Sequence, residues 1–268
     1  MLSTHRARLA ALLAAFLQAI TAAPSSSWAA PADQRSPPRP AQPEAPALSV
    51  LLVGDSLMAT ALGQQLEVTL AAIPGLRVHR LAKSATGLAR PDRHDWMSKA
   101  AAAAKQHDPD FVVVLIGSND GQDLAPVPAK GRRQRAVHWG TADWPAAYRE
   151  RVLALLRALG APGRPVLWLG LPPMRSRSLE GKLAVIRREQ RAAVLSMGEG
   201  HQYVGLFGLV RELKDSTPAK AQRHLFTADG VHFSLRGALR FMPLVRPILL
   251  PWVARATVLR QALAETQK

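Results

Sequence analysis

From Leu48 onward the chain repeats one theme: a short apolar run, a turn, then a longer segment whose apolar residues recur every three or four positions. Leu48 to Val53 predicts a first strand, and Met58 to Ala72 a helix carrying Leu62, Leu66, Leu70 and Ile73 along one side. Leu76 to Leu81 is a weaker strand. Trp96 to His107 reads as an alanine-rich helix, and Phe111 to Ile116 (FVVVLI), continuously apolar and rich in β-branched residues, as a strand buried on both faces. A polar, proline-bearing insertion over about residues 121 to 142 carries no readable motif and is expected to border the site. The theme resumes with a helix from Asp143 to Leu159, a strand from Pro165 to Leu171, a helix from Leu179 to Met197 and a short strand from Tyr203 to Phe207. From Leu235 the sequence is helical but interrupted by Pro243, Pro247 and Pro251.

Strands that alternate with helices need crossover connections, so they run parallel in a sheet covered on both faces. Ligands of such sheets gather at the carboxyl ends of the strands. The domain is expected over residues 47–255, followed by a tail over 256–268. The run Phe241 to Val253 is too short, and too broken by Arg246 and prolines, to cross a bilayer.

The beginning of the chain follows another pattern. Arg6 and Arg8 precede an apolar stretch, Leu9 to Ala23, and Ser27-Trp28-Ala29 offers a small-x-small cleavage site before Ala30. That stretch falls short of the ~20 residues a membrane span requires. Residues 1–29 therefore read as a signal peptide, and the Pro/Ala-rich residues 30–46 as an extended tether. A periplasmic or secreted product is expected.

Charge and composition narrow the picture further. With 48% hydrophobic and 20% charged residues the 268-residue chain is of globular type, and the absence of cysteine removes disulfides, thiolate metal sites and cysteine nucleophiles. Loss of Arg6 and Arg8 with the leader lowers Lys+Arg from 35 to 33 against 19 acids, and the net charge from +16 to +14. Such a charge attracts nucleic acid, anionic lipid or acidic polysaccharide. Export argues against nucleic acid. The clusters Lys130 to Arg135 and Arg187 to Arg191 lack interleaved aromatics and read as a solvated basic surface, with peripheral contact to a membrane left open.

Three predicted strand ends share one rim: Gly54-Asp55-Ser56 after the first, the loop with Thr86-Gly87 after the second, and Gly117-Ser118-Asn119-Asp120 after the third. Asp229-Gly230-Val231-His232 lies just before the last helical segment. This inventory suits acyl transfer, with Ser56 as nucleophile, His232 as its base and Asp229 fixing the imidazole tautomer. The Ser56 and Gly87 N–H groups and the Asn119 amide are candidates for an oxyanion hole. A serine at a strand-to-helix turn also serves as an N-cap, and a histidine can be oriented by a backbone carbonyl in place of Asp229. Asp55 is expected to anchor its turn by hydrogen bonds. Thr86, Arg90, Asp92 and Trp96 either shape the pocket or brace the second loop. His79, His94, His138 and His201 show no metal-ligand spacing. Trp139, Trp144, Trp168 and Trp252 read as core or rim residues.

The blocks GDSL (Gly54 to Leu57), Gly87, GSND (Gly117 to Asp120) and DGVH (Asp229 to His232) resemble, in order, those of the SGNH or GDSL-type esterase and lipase superfamily. TGLARPDRHDW (Thr86 to Trp96) and GLPPMR (Gly170 to Arg175) further resemble an exported bacterial branch long catalogued as a domain of unknown function. The resemblance spans roughly residues 48 to 250. It implies a three-layer α/β/α, flavodoxin-like fold with a central parallel sheet, no metal or cofactor, and ester hydrolysis by Ser56, His232 and Asp229 with Gly87 and Asn119 assisting. The chain departs from many relatives at Tyr203 to Leu209 (YVGLFGL), which lacks an acid near Gly205. The expected substrate is a small acyl ester, such as an acetyl group on a cell-envelope glycan. An O-acyltransferase acting on such a polysaccharide, or an idle envelope-binding protein of the same fold, are the alternatives.

Overall fold

Six of the seven residues of β1 (Leu48–Gly54) are buried, because this apolar run lies inside a five-stranded sheet with a neighbour on each side. The computed structural model describes residues 48–127, 135–160 and 163–266. The expected leader and tether, and all of the Lys130 to Arg135 cluster except Arg135, lie outside the described residues. The other strands are β2 (Leu76–Ala82), β3 (Phe111–Leu115), β4 (Val166–Gly170) and β5 (His201–Gly205). All pairings are parallel and the order is β2-β1-β3-β4-β5. β3 and β4 are buried at every position, as their unbroken apolar runs require, whereas the edge strands β2 and β5 are mostly half-exposed.

Eight helices are described: α1 (Ser56–Ala59), α2 (Ala61–Ala71), α3 (Trp96–His107), α4 (Trp144–Gly160), α5 (Arg177–Ser196), α6 (Leu206–Asp215), α7 (Ala219–Gln222) and α8 (Leu235–Thr266). α4 packs between α3 and α5, and α8 packs against α2 and α6. Together with the sheet they make the expected three-layer, flavodoxin-like fold. The strand order reverses between β1 and β3, the crevice where such sheets place their ligands. In register, Gly54 lies opposite both Ala82 and Leu115, so the chain leaves three neighbouring strands at one level. Those exits are the loops that carry the candidate residues.

Three segments differ from the sequence expectations. The helix expected over 58–72 is split at Thr60, whose extended backbone (φ −103°, ψ −164°) separates α1 from α2 and whose hydroxyl donates to the Ser56 carbonyl at 2.7 Å. β5 ends at Gly205 rather than Phe207, because Leu206 opens an amphipathic helix that buries Leu206, Val210 and Leu213 at helical spacing. The C-terminal segment is a single helix through its three prolines, and it continues past residue 255 to Thr266 with Ala256 still buried. Pro243, Pro247 and Pro251 all lie on its exposed side.

Gly54 is held to glycine by close approach. A β-carbon there would stand 2.0 Å from the Leu115 carbonyl oxygen and 2.7 Å from Met58 Cβ, whereas one at Gly181 on α5 would meet nothing. Gly54→Ala is expected to lower the unfolding free energy by about 3 kcal/mol. Gly181→Ala, at an open helical position, is expected to raise it by up to about 1 kcal/mol. Chemical unfolding of both variants beside the parent checks the pair.

Candidate active site

The first strand ends where a carboxylate takes over from the ladder. Asp55 is fully buried, and its side chain accepts four hydrogen bonds: from Leu57 N (3.0 Å), Gly117 N (2.9 Å), Ser118 N (2.8 Å) and Ser118 Oγ (2.7 Å). It caps α1 and ties the exit of β1 to the exit of β3. Burial pushes its carboxyl up from the ordinary carboxylate range, and the Ser118 hydroxyl and the three backbone N–H groups pull against that rise. The expectation that Asp55 anchors the turn matches this geometry. Ser56 follows as the first residue of α1, with 8% of its surface exposed.

A second buried carboxylate seats the other two loops. Asp120 accepts from Ala89 N at 2.8 Å and from the Tyr148 hydroxyl at 2.9 Å, and Gln190 donates to that hydroxyl at 3.2 Å and to the Ile116 carbonyl at 2.8 Å. A β-carbon on Gly87 would fall 2.1 Å from Asp120 Oδ1, so only glycine lets the second loop close on this acid. Burial pushes the Asp120 carboxyl up to about 6; N–H groups of Ala89 and Leu88 and the Tyr148 hydroxyl oppose the rise, and the nearby Asp55 adds to it. Asn119 Nδ2 donates to the Thr86 carbonyl at 2.9 Å, with Ser118 Oγ at a longer 3.4 Å. Trp96 is buried and donates to Thr86 Oγ1 at 3.2 Å, while Arg90 pairs with Asp92. Thr86, Asp92 and Trp96 thus brace the second loop, and Arg90 also lines a neighbouring cavity.

The imidazole arrives on a short self-contained turn. Asp229 Oδ1 accepts from Thr227 Oγ1 (2.6 Å), Val231 N (2.8 Å) and His232 N (3.1 Å), while Oδ2 lies 2.7 Å from His232 Nδ1. Burial works against its charge, but these bonds from Thr227, His232 and Val231 prevail and hold the carboxyl well below the usual carboxylate range. An ionised carboxylate only accepts, so His232 Nδ1 carries the proton. Nε2 is then free to accept from Ser56 Oγ, 2.8 Å away across a sequence separation of 176 residues.

Ser56, Asn119, Asp229 and His232 open into one cavity of about 490 Å³, lined also by Gln122, Leu179, Lys182 and Val231. Gly87 is buried and does not line this cavity. A second cavity of about 560 Å³ adjoins it through shared Gly121, Gln122 and Lys182, and adds Arg90, Asp123 and Trp139. The insertion after Asn119 therefore borders the site. Trp139 stands half-buried at its rim, with the Lys182 ammonium 5.4 Å from its ring centre. Lys182 and Leu179 carry no motif in the sequence; only their place on the first turns of α5 brings them here. At Gly205 the chain holds no acid, and the backbone there passes directly from β5 into α6. Among the described residues no group of three or more His, Asp or Glu side chains could hold a metal ion.

A family model described as "Protein of unknown function (DUF459)" matches residues 49–247. No curated protein sequence matches the chain. Among solved structures, TesA is 21% identical, with 76% of this chain and 98% of that chain covered at a TM-score of 0.50. A lipolytic G-D-S-L family member from Veillonella parvula DSM 2008 is 12% identical over 75% of this chain and 98% of its own, with a TM-score of 0.53. Axe2, an acetylxylan esterase from Geobacillus stearothermophilus, is 15% identical over 75% and 93%, with a TM-score of 0.52. The likeness is one of fold: the chain has the α/β fold of SGNH-type hydrolases.

The buried Asp120 carries a pH signature. An acid raised on folding favours the native state fully below its unfolded value near 3.8 and loses that contribution as pH rises through about 6. Between pH 4 and pH 6.5 the parent is therefore expected to lose up to about 3 kcal/mol relative to Asp120→Asn. Denaturant midpoints of the two proteins across that range check it, and parallel curves would remove the assignment.

Proposed function

Because the chain belongs to the DUF459 family and joins a hydroxyl, an imidazole and a carboxylate in one relay, we propose that it is an SGNH-type serine esterase working through an acyl-enzyme on Ser56. The observation that carries this reading is the pair of contacts at His232, with Ser56 Oγ 2.8 Å from one ring nitrogen and Asp229 Oδ2 2.7 Å from the other. In the first half-reaction Ser56 Oγ attacks the ester carbonyl as Nε2 takes its proton, and His232⁺ then delivers that proton to the departing alcohol. In the second, water attacks the acyl-enzyme with His232 again as base. Asp229 stabilises the imidazolium formed in each step. Negative charge on the tetrahedral oxygen would be met by the Ser56 N–H group and the Asn119 amide, whose long 3.4 Å contact to Ser118 is the weaker one to exchange for an oxyanion, while Gly87, outside the cavity, serves the seating of the second loop on Asp120.

The substrate in this proposal is a small acyl ester, such as acetyl, on a cell-envelope glycan. Among the described residues, Leu179 and Val231 are the large apolar side chains lining the nucleophile's cavity, which favours a short acyl group over a long chain. The adjoining cavity, with Arg90, Gln122, Asp123, Lys182 and Trp139, offers the polar and aromatic surface that a polyhydroxylated alcohol would meet. Export, as the leader suggests, would bring the enzyme to that substrate.

An active-site phosphonate should label the parent on Ser56 and leave Ser56→Ala unlabelled. Against a panel of aryl esters, acetate should be turned over fastest, with rates falling as the acyl chain lengthens. His232→Ala and Asp229→Asn should each lower kcat/KM by a factor on the order of 10³–10⁴. A folded protein that takes no label and cleaves no ester overturns the reading.

A further inference from the structure

The outward face of α8 carries a second surface, separate from the serine site. Leu235, Leu239, Pro243, Pro247, Leu250 and Val258 all lie on the exposed side of this helix, with Leu239 53% and Val258 63% accessible. Arg236, Arg240, Arg246 and Arg255 are interspersed along the same face. None of these four has an ion-pair partner among the described residues, and the sole acid in the helix is Glu265 in its last turn. Beside the stripe, an apolar groove of about 700 Å³ opens between α2 and α8, lined by Ile73, Leu239, Met242 and Leu250.

We propose that this face seats the protein on the surface of an anionic lipid bilayer. Exposed leucines and valines in a continuous stripe are uncommon on a soluble monomer and mark an interaction surface. Unpaired arginines between them select the chemistry of the partner: apolar side chains enter the boundary of the acyl region while guanidinium groups reach lipid phosphates. Charge complementarity separates this occupant from a second copy of the chain, which would bring its own four arginines against these. The helix lies on the bilayer and does not cross it. It meets a span's requirements of length and mean hydropathy (1.2), but a third of that window is buried against the rest of the protein, with Arg246 near its middle. The stripe begins three residues after His232, so docking brings the nucleophile's cavity close to the membrane surface.

Sedimentation with vesicles tests this on the full chain. Vesicles of equal parts phosphatidylcholine and phosphatidylglycerol should bind at least tenfold more protein than pure phosphatidylcholine, with binding weakened by salt. The pairs Arg240→Gln/Arg246→Gln and Leu239→Gln/Leu250→Gln should each lower binding to the anionic vesicles about tenfold, while hydrolysis of a soluble aryl acetate stays at the parent level. Parent and variants share residues 1–47, so the difference between them reads the helix face alone. Equal binding to both vesicle types, or variants that bind as the parent does, overturns the proposal. So does a concentration-dependent dimer that the leucine pair abolishes while vesicle binding persists. Should the leucine pair unfold the protein, the arginine pair decides alone.

Discussion

The Asp55 carboxylate is the constraint on which the rest of the site depends. An ionised group with no access to water costs several kcal/mol of desolvation unless donors surround it, and here four donors do so from three residues on two loops. Because one acid satisfies both the start of α1 and the turn after β3, Ser56 and Asn119 cannot shift independently. Asp120 extends the same logic to the second loop, through Ala89 N and the space that Gly87 leaves open. Two carboxylates thus lie beneath three loops, and their mutual repulsion is part of what raises Asp120. Tyr148, reaching down from α4, donates to Asp120, and Gln190 on α5 holds that hydroxyl in place.

The imidazole is supplied by a different device. The turn from Thr227 to His232 organises itself around Asp229, and it is fixed to the domain by the Ser234 N–Leu225 O bond and the stacked rings of Phe233 and Phe241. Local bonds of this kind cost little chain entropy to close. Two long-range links reach this turn, the Arg175 N–H donating to the Gly230 carbonyl at 3.1 Å and His232 meeting Ser56, so the relay depends on the loop after β4 as well as on how α8 sits against α2 and the sheet. Packing of the C-terminal helix and the bond from Arg175 therefore set the geometry of proton transfer together. This divides the site into a rigid, buried half carrying the nucleophile and a more exposed half carrying the base, with Asp229 about half accessible.

What the sequence disclosed follows from the range of the interactions. Strands β1 and β3 and helix α3 were readable because their signals, continuous apolar runs and a helical period, are contained within each segment. The end of β5 was not, since YVGLFGL is apolar on both sides of the true boundary and the exposed Phe207 hides the helical spacing of Leu206, Val210 and Leu213. The blocks around Ser56, Asn119 and Asp229–His232 were legible as chemistry, and the structure brings these side chains into one cavity. The reason for Gly87 was not legible, because the group that forbids a side chain there, Asp120, stands 33 residues away. Lys182 and Leu179 join the cavity purely through tertiary packing, which leaves no trace in local spacing.

The prolines of α8 connect its architecture with its surface. A proline inside a helix removes the hydrogen bond to the carbonyl four residues earlier, so Pro243, Pro247 and Pro251 release the carbonyls of Leu239, Pro243 and Pro247. Spaced four apart, they confine the released carbonyls to the exposed stripe, and the buried side keeps the packing of Phe241, Val245, Leu249 and Trp252. In hydrocarbon each such carbonyl would cost several kcal/mol, whereas water or a lipid headgroup region satisfies it. The same spacing that lets the helix survive its prolines therefore sets the depth at which it can rest. Its leucines reach the edge of the apolar layer while its open carbonyls and arginines stay among polar groups.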